Sequence, residues 1–537
     1  MSPLSTTSQS SAMSHREVLE ALSGLLLGTL VSILATSVIS SSLPLIIRDL
    51  QGTQSAFTWV VTATLLTTTI STPIWGKLAD LVNRKLLIQL ALVISVASSA
   101  VAGFSGSVGM LITMRAFQGI GAGGVTALGA VLIADIISPR DRGRYMGLMG
   151  SVMGLGMVGG PLLGGVITDG PGWRWNFFVG LPLAIAAIIV LQKTVHLPTR
   201  VRRIVRIDYE GALLLSAGIA GLLLWVTFAG RSFEWASWQS VAMLGGSLAA
   251  LALAVWVESR AVEPIIPLRL FRNRTLVLSV IASVAVGVAL FGTSVFLSQY
   301  MQIARDKTPT QSGLLTVPMV IGLLVSSTIS GRIISSTGRY RRFMIAGAVV
   351  LTAGLALMGT IGYDTNLWLV GAYMFVLGAG VGMLMQNLVL ATQNTLAQQD
   401  MGSGTATVAF FRTLGGAVGV SALGAVLASR ITTLLLRGLT ELGIDPASLG
   451  SGTSAIPDVQ SLPAPIRTVV EASYGTAIAD LFLLAVPLGL VALVAVLFLR
   501  EVPLGTRSGL EQRRAAELEL ELAADAAPSA AMVGAER

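Results

Sequence analysis

The sequence predicts an all-α polytopic membrane protein, and its composition, its apolar runs and the placement of its basic residues each support this class. Of the 537 residues, 53% are hydrophobic and 12% are charged, which is about half the charged fraction of soluble domains. The mean hydropathy is +0.79. A water-soluble fold of this length cannot bury so much apolar surface, and disordered chains require low hydrophobicity. The remaining class is a chain that crosses a membrane many times.

The apolar runs are long enough to be transmembrane helices. A helix that crosses a hydrocarbon layer of about 30 Å needs roughly 20 apolar residues, and the sequence contains fourteen such runs. The predicted spans are 21–43, 57–75, 86–104, 108–133, 146–168, 177–195, 210–229, 239–257, 276–300, 311–330, 343–362, 366–390, 404–428 and 476–499. No cleavage site follows the first run, so we interpret it as a spanning helix and not as a signal peptide.

The basic residues predict the orientation of these spans. With the N-terminus in the cytoplasm, 25 of the 35 Lys and Arg residues lie in cytoplasmic loops or tails and 8 lie outside. Because basic loops remain on the cytoplasmic side, this bias predicts an even number of spans, with the N- and C-termini both cytoplasmic. It also explains the net charge of +8 by membrane topology, so we expect no nucleic acid partner.

The composition excludes several kinds of chemistry. The chain has no cysteine, which excludes disulfides, thiolate metal sites and cysteine nucleophiles. The two histidines, His15 and His196, are too few for a histidine-rich metal site. No phosphate-binding loop of the form G-x-x-x-x-G-K followed by Ser or Thr occurs. We therefore expect neither an enzyme nor an ATP-driven pump, and no catalytic residue, metal or cofactor.

A short loop motif occurs twice, at 76–85 and at 331–342. In both copies a Gly ends a span, and an Asn or Gly followed by Arg comes seven and eight residues later. Asn and Gly adopt a positive φ readily, so a tight turn with positive φ is predicted at Asn83 and Gly338. Any cytoplasmic loop tends to be basic and rich in turn residues, which is the alternative interpretation. A repeat in matching positions favours a transporter with its site between two halves.

These residues resemble the major facilitator superfamily, specifically its fourteen-helix drug:proton antiporters of the EmrB/QacA type, over residues 20–500. The loop 76–85 matches the signature of the family, with Asn83 in place of the usual Gly. Residues 115–121 match the fourth-helix pattern, 156–165 match the fifth-helix antiporter pattern, and Leu43-Pro44 matches the end of the first-helix pattern. The resemblance implies a major-facilitator fold of two six-helix bundles plus two extra transmembrane helices.

The predicted organisation follows from these spans and from the resemblance. We expect a cytoplasmic N-terminal tail at 1–20, an N-terminal six-helix bundle at 21–195, a linker with two inserted transmembrane helices at 196–275, a C-terminal six-helix bundle at 276–499 with an external loop at 430–475, and a cytoplasmic C-terminal tail at 500–537.

The loop motif is the predicted conformational latch. By resemblance, Asp80, Arg84 and Asp135 form a charge cluster that holds the outward-facing state, and Gly76 belongs to the same latch. The N-terminus of a helix in the opposite half also favours a carboxylate. The alternative is a solvated ion pair of under ~1 kcal/mol. Ser335 occupies the position of Asp80 in the second copy, so we expect that loop to lack the latch.

The fifth span carries the predicted antiporter helix. Its residues are Gly156, Gly160, Pro161, Gly164 and Gly165. Glycines four residues apart share one face and allow close helix contact, and the proline can bend the helix. By resemblance this bent helix has a gating role in exporters that exchange substrate against protons. Plain small-residue packing is the alternative.

Four residues are predicted to couple substrate and proton movement: Arg115, Gln118, Arg412 and Asp480. A charge in mid-bilayer costs at least ~2.5 kcal/mol and usually faces a cavity or a partner, although Arg can instead extend to the interface. Arg115 and Gln118 also match the family pattern. Asp480 is a candidate proton carrier because a partly desolvated carboxyl exchanges protons more readily, but it is equally a candidate for a solvated helix-start residue.

The predicted substrate cavity is lined by Thr36, Ser40, Thr62, Met153 and Met157. Hydroxyl groups on one face can line a weakly polar cavity, or they can bond back to helix carbonyls. Flexible Met side chains suit a promiscuous cavity, or they can serve in ordinary packing.

One position departs from the resembling family. The first span of that family usually carries an Asp, and Ala35 occupies the position here. No other carboxylate lies near the middle of a predicted span. This departure weakens the case for attraction of cationic drugs and for the usual proton carrier.

The sequence therefore predicts a monomeric secondary active exporter that works by alternating access in a bacterial-type plasma membrane. Its expected partners are a small lipophilic substrate, the proton and the lipid bilayer. One alternative is a dedicated exporter of a single endogenous metabolite or lipid, with or without proton coupling. Another is a membrane sensor that does not transport.

Overall fold

The computed structural model describes residues 15–51, 54–137, 139–194, 208–229, 233–261, 264–307, 309–397, 400–443 and 463–505. The described residues contain fifteen α-helices and no named β-strand. The helices are α1 (His15–Asp49), α2 (Gln54–Leu81), α3 (Arg84–Gly103), α4 (Val108–Ile136), α5 (Pro139–Asp169), α6 (Gly180–Thr194), α7 (Tyr209–Phe228), α8 (Trp238–Glu258), α9 (Arg274–Gln299), α10 (Pro309–Leu315), α11 (Val317–Thr337), α12 (Arg341–Met358), α13 (Leu367–Gln393), α14 (Met401–Glu441) and α15 (Ala464–Leu497).

The helices have the length and apolar character that a membrane requires. Twelve helical segments of the described chain are long and apolar enough to cross a bilayer. Helix α7 adds a shorter apolar run at Glu210–Val226, and α2 is rich in Thr and Ser, which lowers its hydropathy. The predicted class, an all-α polytopic membrane protein, is confirmed. The count of fourteen spans and the cytoplasmic termini remain predictions.

Helices α1–α6 and α9–α15 pack in the same order. In the first set, α1 packs against α5 and α6, while α2 and α3 pack against α4. In the second set, α9 packs against α14 and α15, while α11 and α12 pack against α13. We call these sets the first half and the second half. Helices α7 and α8 pack against each other, and α7 also contacts α2 and α14.

The two halves meet along two extensive helix pairs. Helix α5 packs against α11, and α2 packs against α14. In the repeated packing order α2 corresponds to α11, and α5 corresponds to α14. The α5–α11 contact and the α2–α14 contact are therefore equivalent positions in the two halves. This interface surrounds the candidate site described below.

The two copies of the loop motif turn in different ways. Gly338 ends α11 with a φ of 72°, as predicted, whereas Asn83 has a φ of −62°. The prediction of a positive φ at Asn83 is therefore wrong. Asn83 instead caps α3, since its Oδ1 accepts a hydrogen bond of 2.9 Å from the backbone N–H of Lys85. A side chain that can cap the next helix makes the left-handed turn unnecessary. We call the end of the molecule that carries these two turns the basic end.

Two helices extend into residues 430–475, the range predicted to form an external loop. Helix α14 continues to Glu441 and α15 begins at Ala464, so both helices extend into 430–475. Hydropathy marks the end of an apolar run, and a helix can continue beyond that point with polar residues. Residues 444–462 lie outside the described part, as do most of the predicted tails and residues 196–207 of the linker.

Candidate functional site

Asp80, near the end of α2, binds the first turn of α14 in the opposite half. Its Oδ1 accepts a hydrogen bond from the backbone N–H of Gly402, and its Oδ2 accepts from the backbone N–H and the Oγ of Ser403, each at 2.8 Å. The first N–H groups of a helix have no partner within it and favour a negative charge. This arrangement joins the two halves at the basic end.

Two neighbours support the Asp80 contact. The Arg84 guanidinium lies 3.4 Å from Asp80 Oδ1, and its Nε donates to the carbonyl of Ala79 at 2.8 Å. Both charged side chains are buried, with at most 5% of either exposed. Gly76 allows the close approach, because a Cβ added there would overlap the Cβ of Ala406 and lie 3.0 Å from the Gly402 carbonyl.

Asp80 lies beyond the predicted span 57–75. It is buried, and its burial and its neighbours shift the pKa of its carboxyl in opposite directions. Burial raises the pKa of its carboxyl above the usual value, while Arg84 and the hydrogen bonds from Ser403 and Gly402 act to lower that pKa. The carboxylate therefore depends on its contacts with Arg84 and α14 to remain charged. Separation of the halves would remove the α14 contacts.

The second copy of the motif makes a weaker contact across the interface. Ser335 of α11 corresponds to Asp80, and its Oγ donates to the backbone carbonyl of Asp141 in α5 at 3.4 Å. This bond comes from a neutral hydroxyl, whereas Asp80 accepts three bonds with a carboxylate. The two loops thus occupy corresponding positions with unequal chemistry. The side chain of Asp135, predicted to join the latch, lies outside the described residues.

A small cavity of about 40 Å³ lies between the two halves. Helices α1, α4 and α5 of the first half and α13 and α14 of the second half enclose it. Its lining residues are Thr29, Ser32, Ile33, Val125, Thr126, Ala130, Met149, Met153, Gln386, Val389, Thr405, Ala409 and Arg412. The lining is thus mainly apolar, with hydroxyl groups, one amide and one guanidinium. This volume has room for two or three water molecules, by order of magnitude.

The predicted cavity residues differ in their positions. Met153 lines the cavity, and its sulfur lies 3.6 Å from Gln386 Nε2 across the interface. Met157 packs against the core of the second half and is not among the lining residues. Thr36 is also absent from the lining, and its Oγ1 donates back to the carbonyl of Ile33 at 2.8 Å. The side chains of Ser40 and Thr62 lie outside the described residues.

Arg115 and Gln118 form a buried polar chain between α4 and α1. Arg115 Nη1 donates to Gln118 Oε1, and Gln118 Nε2 donates to the backbone carbonyl of Ala35 at 3.2 Å. Arg115 forms no ion pair with any described residue. The chain thus ends at the position where the resembling family usually carries an Asp. The side-chain amide of Gln118 therefore donates to the backbone carbonyl of Ala35, because this position has no acidic side chain that could accept.

The other two predicted coupling residues lie in different environments. Arg412 lines the cavity and is buried. Asp480 lies outside the cavity lining and pairs with Arg430 of α14, whose Nε donates to Asp480 Oδ2 at 2.9 Å. Both partners of that pair are partly exposed. The four predicted coupling residues therefore do not form one cluster.

The predicted antiporter helix uses its glycines against α1. A Cβ added at Gly160 would overlap Ser37 Oγ, and one added at Gly156 would lie 2.7 Å from Ile33 Cγ2. The carbonyls of this face accept hydrogen bonds: Ser37 Oγ donates to Gly156 at 2.9 Å and Ser42 Oγ donates to Gly164 at 3.3 Å.

Pro161 lies inside α5 and faces α10, since a Cβ added at Gly313 would lie 3.7 Å from Pro161 Cβ. Gly165 is partly buried in the same helix.

A second glycine face of α5 contacts the opposite half, and the sequence reasoning missed it. A Cβ at Gly147 would lie 2.7 Å from the Ser327 carbonyl, one at Gly150 would lie 2.6 Å from Ser327 Oγ, and one at Gly154 would lie 2.9 Å from Leu324 Cδ2. In the sequence, Gly147, Gly150 and Gly154 are three and four residues apart, which is the spacing of one helix face. Helix α5 therefore packs closely on both sides, against α1 and against α11.

The comparisons with known proteins agree with this architecture. The sequence profile of the Major Facilitator Superfamily matches residues 25–420. The chain belongs to the Major Facilitator Superfamily. It is therefore a multi-pass membrane transporter and not an enzyme. The EmrB/QacA-type subtype remains a prediction.

Individual relatives within the superfamily cover most of the chain. An uncharacterized MFS-type transporter of Mycobacterium tuberculosis (strain H37Rv) is 36% identical over 486 residues, which span 89% of this chain and 69% of that protein. The multidrug transporter protein MdtP of Bacillus subtilis (strain 168) is 33% identical over 414 residues, which span 77% of this chain and 76% of that protein.

A solved structure shares the fold at low identity. The human organic anion transporter MFSD10 (TETRAN) aligns with a TM-score of 0.57 and 16% identity over 88% of this chain and 99% of that chain. At this identity the match concerns the fold alone.

Proposed function

We propose that the chain is a secondary active exporter of lipophilic small molecules, driven by exchange against protons across a bacterial-type plasma membrane. Membership of the superfamily supports transport, and the multidrug transporter of Bacillus subtilis supports efflux of small molecules. The observation that carries the proposal is the cavity between the two halves, closed at the basic end by the Asp80–α14 contact. In this proposal the basic end faces the cytoplasm.

The proposed cycle alternates between two closures. With Asp80 bound to α14, the cytoplasmic side is shut and the cavity belongs to an outward-facing or occluded state. Release of Asp80 lets α2 separate from α14, so that substrate enters from the cytoplasm or the inner leaflet. The close contacts of α5 with α1 and α11 let these helices move as packed units, since small residues permit sliding without gaps.

Proton coupling is proposed to involve Arg115, Gln118, Arg412 and Asp480. Arg115 and Gln118 connect α4 to α1 through buried hydrogen bonds. A movement of one of these helices would therefore strain or break the hydrogen bond to the other. Asp480 pairs with Arg430 and so joins α15 to α14. We propose that a single chain carries out the whole cycle.

The proton-coupling test uses purified protein in liposomes loaded with a lipophilic dye. An imposed proton gradient should accelerate dye movement about tenfold or more, in the direction opposite to proton flow, and a protonophore should remove the acceleration. The control is a liposome without protein. Dye movement that is equally fast with and without the gradient would favour an exporter that does not use protons, and no movement at all would contradict export of lipophilic compounds.

A further inference from the structure

We propose that the central cavity binds the anionic headgroup of an amphiphilic substrate, such as a lipophilic carboxylate, through the guanidinium of Arg412. This inference rests on the proposed function as an exporter and specifies its substrate class. It predicts a preference opposite to the one expected of a pump for lipophilic cations.

Arg412 is a buried cation without a counter-charge in the described chain. It is 8% exposed and lines the cavity. Its one hydrogen bond, from Nη1 to the carbonyl of Met385, is 3.5 Å long. Among the described residues it forms no ion pair, whereas the surface arginines Arg430 and Arg467 do. A guanidinium has five N–H donors, so most of its capacity to donate remains unused here.

The rest of the lining gives a cation no counter-charge. Within the described residues that enclose the cavity, none is acidic. Thr29 and Thr126 donate their hydroxyl protons to helix carbonyls at 2.9 Å, so they neutralise no charge. A cationic headgroup in this space would meet the positive charge of Arg412, and specificity often depends on such a repulsive element.

The dimensions fit a headgroup with an apolar body. The cavity of about 40 Å³ can hold a group of the size of a carboxylate, and the apolar body of the substrate would occupy the space that opens when the halves separate. Ile33, Val125, Met149 and Met153 border the polar part. A guanidinium can bind a carboxylate through two parallel hydrogen bonds, which a neutral substrate cannot match.

Arg115, the other buried arginine, does not suit this role. Its guanidinium donates to Gln118 Oε1, and it is not among the residues that line the cavity. The position of the guanidinium therefore assigns the substrate anion to Arg412.

The test uses three fluorescent probes that share a pyrene ring and a butyl chain: pyrenebutyrate, pyrenebutanol and pyrenebutyltrimethylammonium. Binding to the purified chain in nanodiscs and transport into liposomes are measured for each probe. We expect the carboxylate to bind about tenfold or more tightly than the ammonium, by the strength of charged hydrogen bonds, and to be transported faster.

Four variants assign the preference to the cavity. Arg412→Gln should remove the preference for the carboxylate, and Arg412→Lys should retain part of it. Arg437→Gln, an exposed arginine in the same helix, is the matched control and should behave as the native chain does. Thr126→Asp places a carboxylate in the same cavity and should weaken pyrenebutyrate binding while keeping Arg412. This variant keeps the test decisive if Arg412→Gln fails to fold.

The outcomes separate the two proposals. Equal or tighter binding of the ammonium overturns the anion site. So does a carboxylate preference that survives Arg412→Gln or, where that variant does not fold, Thr126→Asp. Transport of the ammonium or alcohol without the carboxylate leaves export standing and removes the anion inference. Carboxylate binding that depends on Arg412 without transport of any probe supports the site and contradicts export.

Discussion

Asp80→Asn is expected to lower the rate of export about tenfold or more while the amount of folded protein in the membrane stays the same. The native carboxylate accepts three hydrogen bonds from Gly402 and Ser403, each at 2.8 Å. An amide offers one oxygen, and its NH₂ group would face an N–H or O–H that also donates. Hydrogen bonds to a charged group contribute about 1.5–3 kcal/mol each, so the loss of even one shifts the balance between conformations substantially.

The measurement is the initial rate of dye efflux, normalised to the protein level in the membrane. Ser335→Ala is the matched control because Ser335 occupies the corresponding position in the second half and makes a bond of 3.4 Å to the Asp141 carbonyl. We expect this control to retain most of the rate. Native export by Asp80→Asn would mean that the contact with α14 is not part of the cycle.

Gly160→Ala is expected to lower both the melting temperature and the rate of export. A Cβ at this position would overlap Ser37 Oγ and lie 2.6 Å from Ser37 Cβ, so α1 and α5 must separate. Overpacking of this kind costs about 1–3 kcal/mol. The separation would also disturb the bond of 2.9 Å from Ser37 Oγ to the Gly156 carbonyl.

Gly159→Ala is the control for this variant. It changes the neighbouring residue in the same way, but its Cβ would lie 3.8 Å from Leu34 Cδ2, an ordinary contact distance. The measurements are thermal unfolding in detergent and dye efflux. If both variants behave alike, close packing of α5 on α1 has no special role.

Some features of the fold and site follow from local sequence. Long apolar runs predict where the helices lie, since hydrocarbon thickness fixes their length. The contact between Asp80 and a helix N-terminus of the opposite half was expected from the resemblance of the loop motif to the family, and a helix dipole favours an acid at that place. Gly338 at a positive φ follows from the absence of a side chain.

Other features depend on how each helix is rotated, which a uniformly apolar sequence does not encode. Thr29 and Thr36 lie on the same hydroxyl-rich helix and both donate back to its carbonyls, yet Thr29 lines the cavity and Thr36 does not. Gln386 and Thr405 enter the site from the second half, where no motif marks them. They become lining residues of the cavity because α13 and α14 pack against α4 and α5.

Distances between spin labels test alternating access of the two halves most directly. The chain has no cysteine, so labels attach at introduced cysteines alone. Leu86 and Arg342 are exposed near the starts of α3 and α12, at the basic end, and Phe104 and Thr360 are exposed just beyond the ends of these helices. The two pairs therefore report on opposite ends of corresponding helices.

Electron–electron resonance distances are compared between the native latch and Asp80→Asn for both labelled pairs. We predict that the variant lengthens the distance between positions 86 and 342 and shortens the distance between positions 104 and 360. Distances that stay unchanged at both ends, or that change in the same direction at both, would contradict alternating access by these two halves.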